Sequence, residues 1–153
     1  MSDTSPGIRM IDVGGKPVTS RTARASARLT ARPATIARIR DGSLEKGDAV
    51  ATARLAGIMA AKRTSDVVPL CHPLPLEGVE IAVSFPDDTS VAFESLVRTT
   101  ARTGVEMEAL VAVTMAAIAV YDMCKSIDPE MVIDGVRVEE KTGGVRGDYV
   151  RRI

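Results

Sequence analysis

The sequence predicts an α+β fold, a mainly antiparallel sheet with helices packed on one of its faces. Three stretches carry that expectation. From Ala23 to Ala31 the alanines and Leu29 alternate with Thr22, Arg24, Ser26, Arg28 and Thr30, the period of two of a half-buried strand. Residues 78–85 and 90–98 read as two more strands, separated only by the turn Pro86-Asp87-Asp88 and so neighbours in a hairpin. Between Thr103 and Lys125 the chain reads TGVEMEALVAVTMAAIAVYDMCK. Residues Leu110 to Tyr121 are apolar or small all round, so a helix here is expected to be buried on every side.

In chain order, Met10–Val13 is a short strand candidate ending at the Gly14-Gly15 turn, followed by the alternating strand over 23–31. Pro33 can open a short helix, because a first-turn residue needs no N–H donor, and Asp41-Gly42 closes it. Asp48 to Lys62 spaces its apolar residues for a second helix. Pro69, Pro73 and Pro75 then hold PLCHPLPL extended and irregular. After the hairpin and the long helix, Met131–Glu140 reads as a strand, KTGGVRG as a glycine-rich basic loop, and Tyr149–Arg151 as a last short strand. The order strand, helix, strand, strand, helix, strand has no internal repeat. With 153 residues the chain supports one core, and residues 1–153 are expected to form a single domain with residues 1–9 flexible.

Composition narrows the function. Twenty basic and twenty acidic side chains balance, which removes any global electrostatic pull toward nucleic acid or an anionic membrane and leaves only local anion sites. The longest apolar run is about a dozen residues, short of the roughly twenty that span a bilayer. The N-terminus MSDTSPGIRMIDVGG has no apolar signal core, so a cytoplasmic protein is expected. Cys71 and Cys124 are too few for a disulfide framework and are expected to be reduced thiols. Aromatic residues make up 3% of the chain, so a ring-shaped ligand must be held by hydrogen bonds, Met or aliphatic contacts and charge.

Charges bracket the long helix: Glu106 and Glu108 at one end, Asp122 and Lys125 at the other. Acidic residues in a first turn and a Lys in a last turn also favour the helix dipole, so Glu106, Glu108 and Lys125 read equally as ordinary end charges. Asp122 is different, since an acid near a helix C-terminus opposes the dipole. It shares a face with Lys125 three residues on, a candidate acid/base and cation pair. Glu106 and Asp122 are sixteen residues apart, roughly 24 Å of helix axis, too far for one small pocket in one subunit. His72, the only histidine, lies in the stiff proline loop, where a structural and a functional reading weigh evenly. Walker A and GxGxxG loops are absent. Lys141-Thr142-Gly143-Gly144-Val145-Arg146-Gly147 and Glu45-Lys46-Gly47-Asp48, with Arg21, Arg24, Lys62 and Arg63, are instead candidates to line a polyphosphate pocket.

The segments KGDAVATARLAGIMAAKRTSDVVPLCHPL, TGVEMEAL, YDMCKSI, MVI and KTGGVRGD, in this order, resemble the molybdenum cofactor biosynthesis protein C family, the cyclic pyranopterin monophosphate synthases, from about Met10 to Asp148. The resemblance implies a ferredoxin-like α+β fold and a homohexamer, a trimer of dimers, with active sites at subunit interfaces. It implies a lyase that converts 3′,8-cyclo-7,8-dihydro-GTP to cyclic pyranopterin monophosphate and pyrophosphate, with no cofactor and no bound metal. Matched by position, the catalytic aspartate falls on Asp122, its lysine on Lys125, and further functional cations on Lys46, Lys141 and Arg21. Leu70, Cys71 and His72 match the substrate loop; Met107 and Glu108, with Glu106 beside them, match a second contact segment. Asp128 is not the catalytic aspartate. Ser65 replaces a common tryptophan, and Arg102 and Arg146 stand where lysine is common; arginine keeps the charge without lysine's tunable pKa, which weakens any case for proton transfer there.

The expected chemistry is proton movement by Asp122 and Lys125 as the purine ring opens and recloses, with Lys46, Lys141 and Arg21 on the triphosphate and His72 and Glu108 orienting the ring. Two rivals stand beside it: a nucleotide-binding regulatory module without turnover, and a metal-dependent hydrolase using Cys71, His72 and Asp122.

Overall fold

A computed structural model describes Ser2 and residues 6–153; the expectation for residues 1–9 falls in part on Met1, Asp3, Thr4 and Ser5, outside the described residues. Strand β1 (Thr19–Thr30) leads to helices α1 (Pro33–Asp41), α2 (Ala49–Lys62) and the single turn α3 (Thr64–Val67). The hairpin β2 (Leu76–Asp87) and β3 (Ser90–Ala101) follows, then α4 (Glu106–Cys124), β4 (Val132–Thr142) and β5 (Tyr149–Val150). The sheet runs β2-β3-β1-β4-β5 with every neighbouring pair antiparallel. Without the short β5, this order and the βαββαβ succession are the ferredoxin-like arrangement.

Strand β1 is central because its alternation is real: Ala23, Ala25, Ala27 and Leu29 are buried under the helices, and β1 pairs with β3 from Thr19↔Ala101 to Thr30↔Ser90. The opposite face carries polar partners, including Arg24 with Glu94, Arg28 with Asp87 and Ser26 with Glu139. On the helical face, Ala49, Ala53, Gly57 and Ala61 of α2 recur every fourth residue and are buried, a smooth ridge on one side of a helix. A Cβ on Gly57 would lie 2.8 Å from Ile81 Cδ1 and 3.1 Å from the Ala112 carbonyl oxygen. The alanine-rich sequence thus lets α2 and α4 pack backbone to backbone over the sheet.

The structure departs from the sequence reading at several points. Residues 10–13 form no strand: Asp12 accepts a hydrogen bond from the Gly14 N–H at 2.7 Å and Lys16 N–H reaches the Val13 carbonyl at 3.0 Å, so the chain turns back at the glycines before it can pair. The hairpin turn is Asp88-Thr89 and not Pro86-Asp87-Asp88. Asp87 caps that turn by accepting from Thr89 and Ser90, while Pro86 is tolerated inside β2 because β2 is an edge strand. Turn α3 carries no periodicity to read; Thr64 forms it by donating to the Ala60 and Ala61 carbonyls.

Helix α4 is not buried all round. Met107, Met115 (39% exposed) and Ile118 (42%) stay open, beside Leu55 (63%), Met59 and Val67. The spacing of residues 107, 111, 115 and 118 puts them on one helix face. Helix α4 has the length and mean hydropathy of a bilayer span, yet half of it is buried within the domain and both ends carry charge. It is the core helix of the sheet–helix sandwich.

Candidate active site

The charged ends of α4 organise two separate clusters. At the C-terminal end Asp122 receives Lys46 Nζ on Oδ2 and Lys125 Nζ on Oδ1, each at 2.9 Å. Local sequence sets this up. Lys125 is the C-cap residue of α4, its N–H on the Tyr121 carbonyl at 2.9 Å. Lys46 rides a tight turn in which Gly47 N–H meets the Leu44 carbonyl at 3.0 Å, Gly47 takes a positive φ of 111°, and Asp48 caps α2 through the Ala51 N–H. The cluster answers why an acid sits against the dipole: it has two ammonium partners. Hydrogen bonds first from Lys125 and then from Lys46 hold the Asp122 carboxyl down to about 2, and the same carboxylate raises the Lys125 ammonium above its ordinary value. In the resting protein Asp122 is therefore ionised, and Lys125 holds its proton more tightly than a free lysine.

At the N-terminal end a cavity of about 420 Å³ opens between the proline loop, the first turn of α4 and the glycine loop after β4. Leu70, Cys71 and His72 line it, with Glu106, Met107, Arg21 and Lys141. Arg21 is 8% exposed and anchored from Nε to the Ala101 carbonyl and from Nη2 to the Arg102 carbonyl, both at 3.2 Å. Lys141 faces Glu106 at 3.5 Å. The glycine loop must be glycine: Gly143 and Gly144 have φ of 89° and 87°, and added Cβ atoms would strike the Ser20 carbonyl and the Arg21 guanidinium.

Glu108 points elsewhere. It is 3% exposed, does not line the cavity, and meets the Cys71 thiol, which donates toward its carboxylate at 3.9 and 4.0 Å. Desolvation, reinforced by the charge of Glu106, pushes the Glu108 carboxyl up to about 7; desolvation and Glu108 push the Cys71 thiol up to about 11. Because the folded protein holds the Glu108 proton more tightly than the unfolded chain, the contribution of this group to stability is full below about pH 4.5, falls as pH rises to about 7, and is level above that. A rise from 4.5 to about 7 corresponds to roughly 3 kcal/mol. Glu108→Gln is expected to abolish that fall in melting temperature between pH 5 and 7 and to raise stability at pH 8, as thermal melts across pH would record.

Three of the candidate cations, Arg24, Lys62 and Arg63, lie away from both clusters. Arg24 is an odd number of residues from Arg21 on the same strand, so it emerges on the opposite face of the sheet and pairs with Glu94. Lys62 borders a groove against β2, and Arg63 borders the open apolar face with Met59, Val67, Val111 and Met115. The cavity gains instead Ile11, Val13, Lys16 and Arg146. Of these only Arg146 was a sequence candidate; the Gly14-Gly15-Lys16 signal, glycines before a cation, is the same one that singled out the loop after β4. Asp128, although 1% exposed, is structural: burial opposes its ionised form, but hydrogen bonds from the Arg32 N–H and Thr35 win and lower its pKa while capping α1. Lys46, Asp122 and Lys125 are absent from the cavity lining, a helix length away from Glu106.

The ferredoxin-like fold carries a basic cavity and a separate Lys–Asp–Lys cluster, the features of a small-molecule site suited to an anionic ligand. The sequence profile described as the MoaC family matches residues 10–144, and the chain belongs to that family. It is similar to proteins named cyclic pyranopterin monophosphate synthase from Brevibacillus brevis, 52% identical over 143 residues (94% of this chain and 89% of the relative). It is likewise similar to those from Streptomyces coelicolor, 55% identical over 149 residues (97% and 87%), and Heliobacterium modesticaldum, 53% identical over 150 residues (97% and 94%).

Proposed function

We infer that this chain is a cyclic pyranopterin monophosphate synthase, a lyase that converts 3′,8-cyclo-7,8-dihydro-GTP to cyclic pyranopterin monophosphate and pyrophosphate in molybdenum cofactor biosynthesis. The observation that carries the reading is the Lys46–Asp122–Lys125 cluster, formed in a chain related to such enzymes over nearly its full length. We assign Lys125 and Lys46 as proton carriers for ring opening and reclosure, with Asp122 holding their charge and position. Arg21 and Lys141 hold the phosphates and steady the departing pyrophosphate as the cyclic phosphate closes. His72, with Leu70, Cys71 and Met107, contacts the ring-bearing end, and Glu106 sets Lys141. Glu108 acts on the ring only through Cys71.

The active enzyme is proposed to be a cytoplasmic homohexamer, a trimer of dimers, in which the C-terminal cluster of one copy completes the cavity of another. Two features support this: the roughly 24 Å between the clusters, and the open apolar stripe of α4 and α2, a patch that suits a subunit interface. Incubation with the cyclised nucleotide is expected to release one pyrophosphate for each pterin formed, at a rate unchanged by exhaustive chelation of transition metals. Saturable binding without pyrophosphate release would favour a regulatory module, and activity abolished by chelation would favour a metal-dependent hydrolase.

A further inference from the structure

The side chains of Lys46, Asp122 and Lys125 are all about half exposed, so packing around them does not hold them in register. Their places are set by the backbone that carries them. Asp122 and Lys125 ride the end of α4, and the chain turns on through Ile127 and Asp128, whose N–H groups both meet the Cys124 carbonyl at 3.0 Å. Lys46 rides the turn between α1 and α2. On its α2 side that turn is fixed by the Asp48 cap and by the packing of α2 on α4. On its α1 side it follows directly from the helix. Gly42 takes a left-handed φ of 69°, Ser43 N–H meets the Arg38 carbonyl at 3.1 Å, Arg38 Nη2 donates to the Ser43 carbonyl at 2.6 Å, and Leu44 is buried. The direction of α1 therefore helps decide where Lys46 sits.

The other end of α1 is held by a residue that is remote in sequence. Its N-cap residue, Arg32, makes no capping bond with its own side chain, and the Asp128 carboxylate takes that place. Asp128 Oδ2 accepts the Arg32 N–H at 2.9 Å and the Thr35 hydroxyl at 3.0 Å. Asp128 Oδ1 faces Arg32 Nε at 3.4 Å and accepts the Glu130 N–H at 3.4 Å, while Arg32 donates back to the Ile127 carbonyl. A carboxylate that is 1% exposed is tolerated only where donors match it, so this contact is specific. Helix α1, nine residues long and so roughly 13 Å, is then a stiff strut. It runs from the turn just past Lys125 to the turn that carries Lys46.

We propose that Asp128 is a positioning residue for the reaction: by fixing the N-terminus of α1 against the turn after α4, it sets the place of Lys46 relative to Asp122 and Lys125. Asp128 makes no hydrogen bond or ion pair with the cluster itself and acts only through α1. The proposal rests on the functional reading above and deepens it.

Kinetics and hydrogen exchange on the intact oligomer test this. Asp128→Asn keeps the shape and one accepting oxygen but turns an N–H donor toward the donors of Arg32 or Glu130. It is expected to lower kcat by between about tenfold and a hundredfold, the effect of misplacing a reacting group by about an ångström, with KM little changed because the cavity lies at the other end of α4. Thr35→Val, which removes one donor and keeps the shape, should act in the same direction more weakly. Added to Lys46→Met, Asp128→Asn should cost no further rate, since a residue that acts through another is not additive with it. Ile81→Ala, which loses packing between β2 and α2, should lower the melting temperature and leave kcat unaltered. In Asp128→Asn, backbone exchange over residues 42–48 should quicken while residues 141–147 exchange as in wild type. Unchanged exchange over 42–48, full additivity with Lys46→Met, or an equal loss of kcat in Ile81→Ala would overturn the role. If wild-type protein fails to turn over the cyclised nucleotide, the functional reading falls, while the exchange measurement still decides whether Asp128 holds the Lys46 turn.

Discussion

Asp122→Asn is expected to lower turnover by at least about a hundredfold, the lower range for disabling acid/base groups, here the two lysines it holds, with substrate affinity close to wild type. The asparagine is nearly isosteric and can still accept one hydrogen bond, so the fold and the turn carrying Lys46 should persist. It cannot balance two ammonium groups 2.9 Å away. Without that carboxylate, Lys46 and Lys125 repel each other and swing apart, and Lys125 loses the partner that raises its pKa, so the groups that must deliver protons are misplaced. The cavity cations are untouched, which is why binding should survive. The pH profile should carry the same signature: Asp122 is ionised down to about pH 2, so its titration should contribute no acid limb near neutrality in wild-type protein. Pterin formation measured with calorimetric substrate binding separates the terms, and a loss of binding equal to the loss of rate would contradict the role.

Much of the fold was legible because its signals are local. The alternation over 23–31 placed the central strand, Pro33 and Gly42 bracketed α1, and the apolar run placed α4. The failures share a cause, which is that the deciding interaction was not in the window being read. Residues 10–13 have strand composition, but a side-chain cap from Asp12 and two glycines bend the chain first. The all-round burial expected of Leu110 to Tyr121 overlooked Met115 and Ile118, which stay open.

The site shows the same division. Spacing alone marked Asp122 with Lys125, but their third partner, Lys46, is seventy-six residues distant, and the residues marked it only as a candidate cation for a polyphosphate pocket. Arg21 and Arg24 looked interchangeable as charges, and strand alternation sends them to opposite faces. Glu108 is adjacent in sequence to a cavity residue, Met107, yet helical rotation buries it behind Cys71. Lys16 carried the same signal as the loop after β4, glycines beside a cation, but its place at the cavity depends on a turn bringing the chain back over it.

A working site is proposed to join the Lys46–Asp122–Lys125 cluster of one subunit to the cavity of another, and mixing two impaired variants tests this most directly. Asp122→Ala removes the first half and leaves the cavity intact; Lys141→Ala does the reverse. After co-expression or subunit exchange at equal amounts, random assembly leaves about one site in four with both halves unaltered. The expected result is pterin formation near a quarter of wild type, far above the sum of the two proteins assayed apart. Activity that stays at that sum in oligomers verified to contain both chains, or full wild-type activity in a sedimenting monomer, would contradict the account.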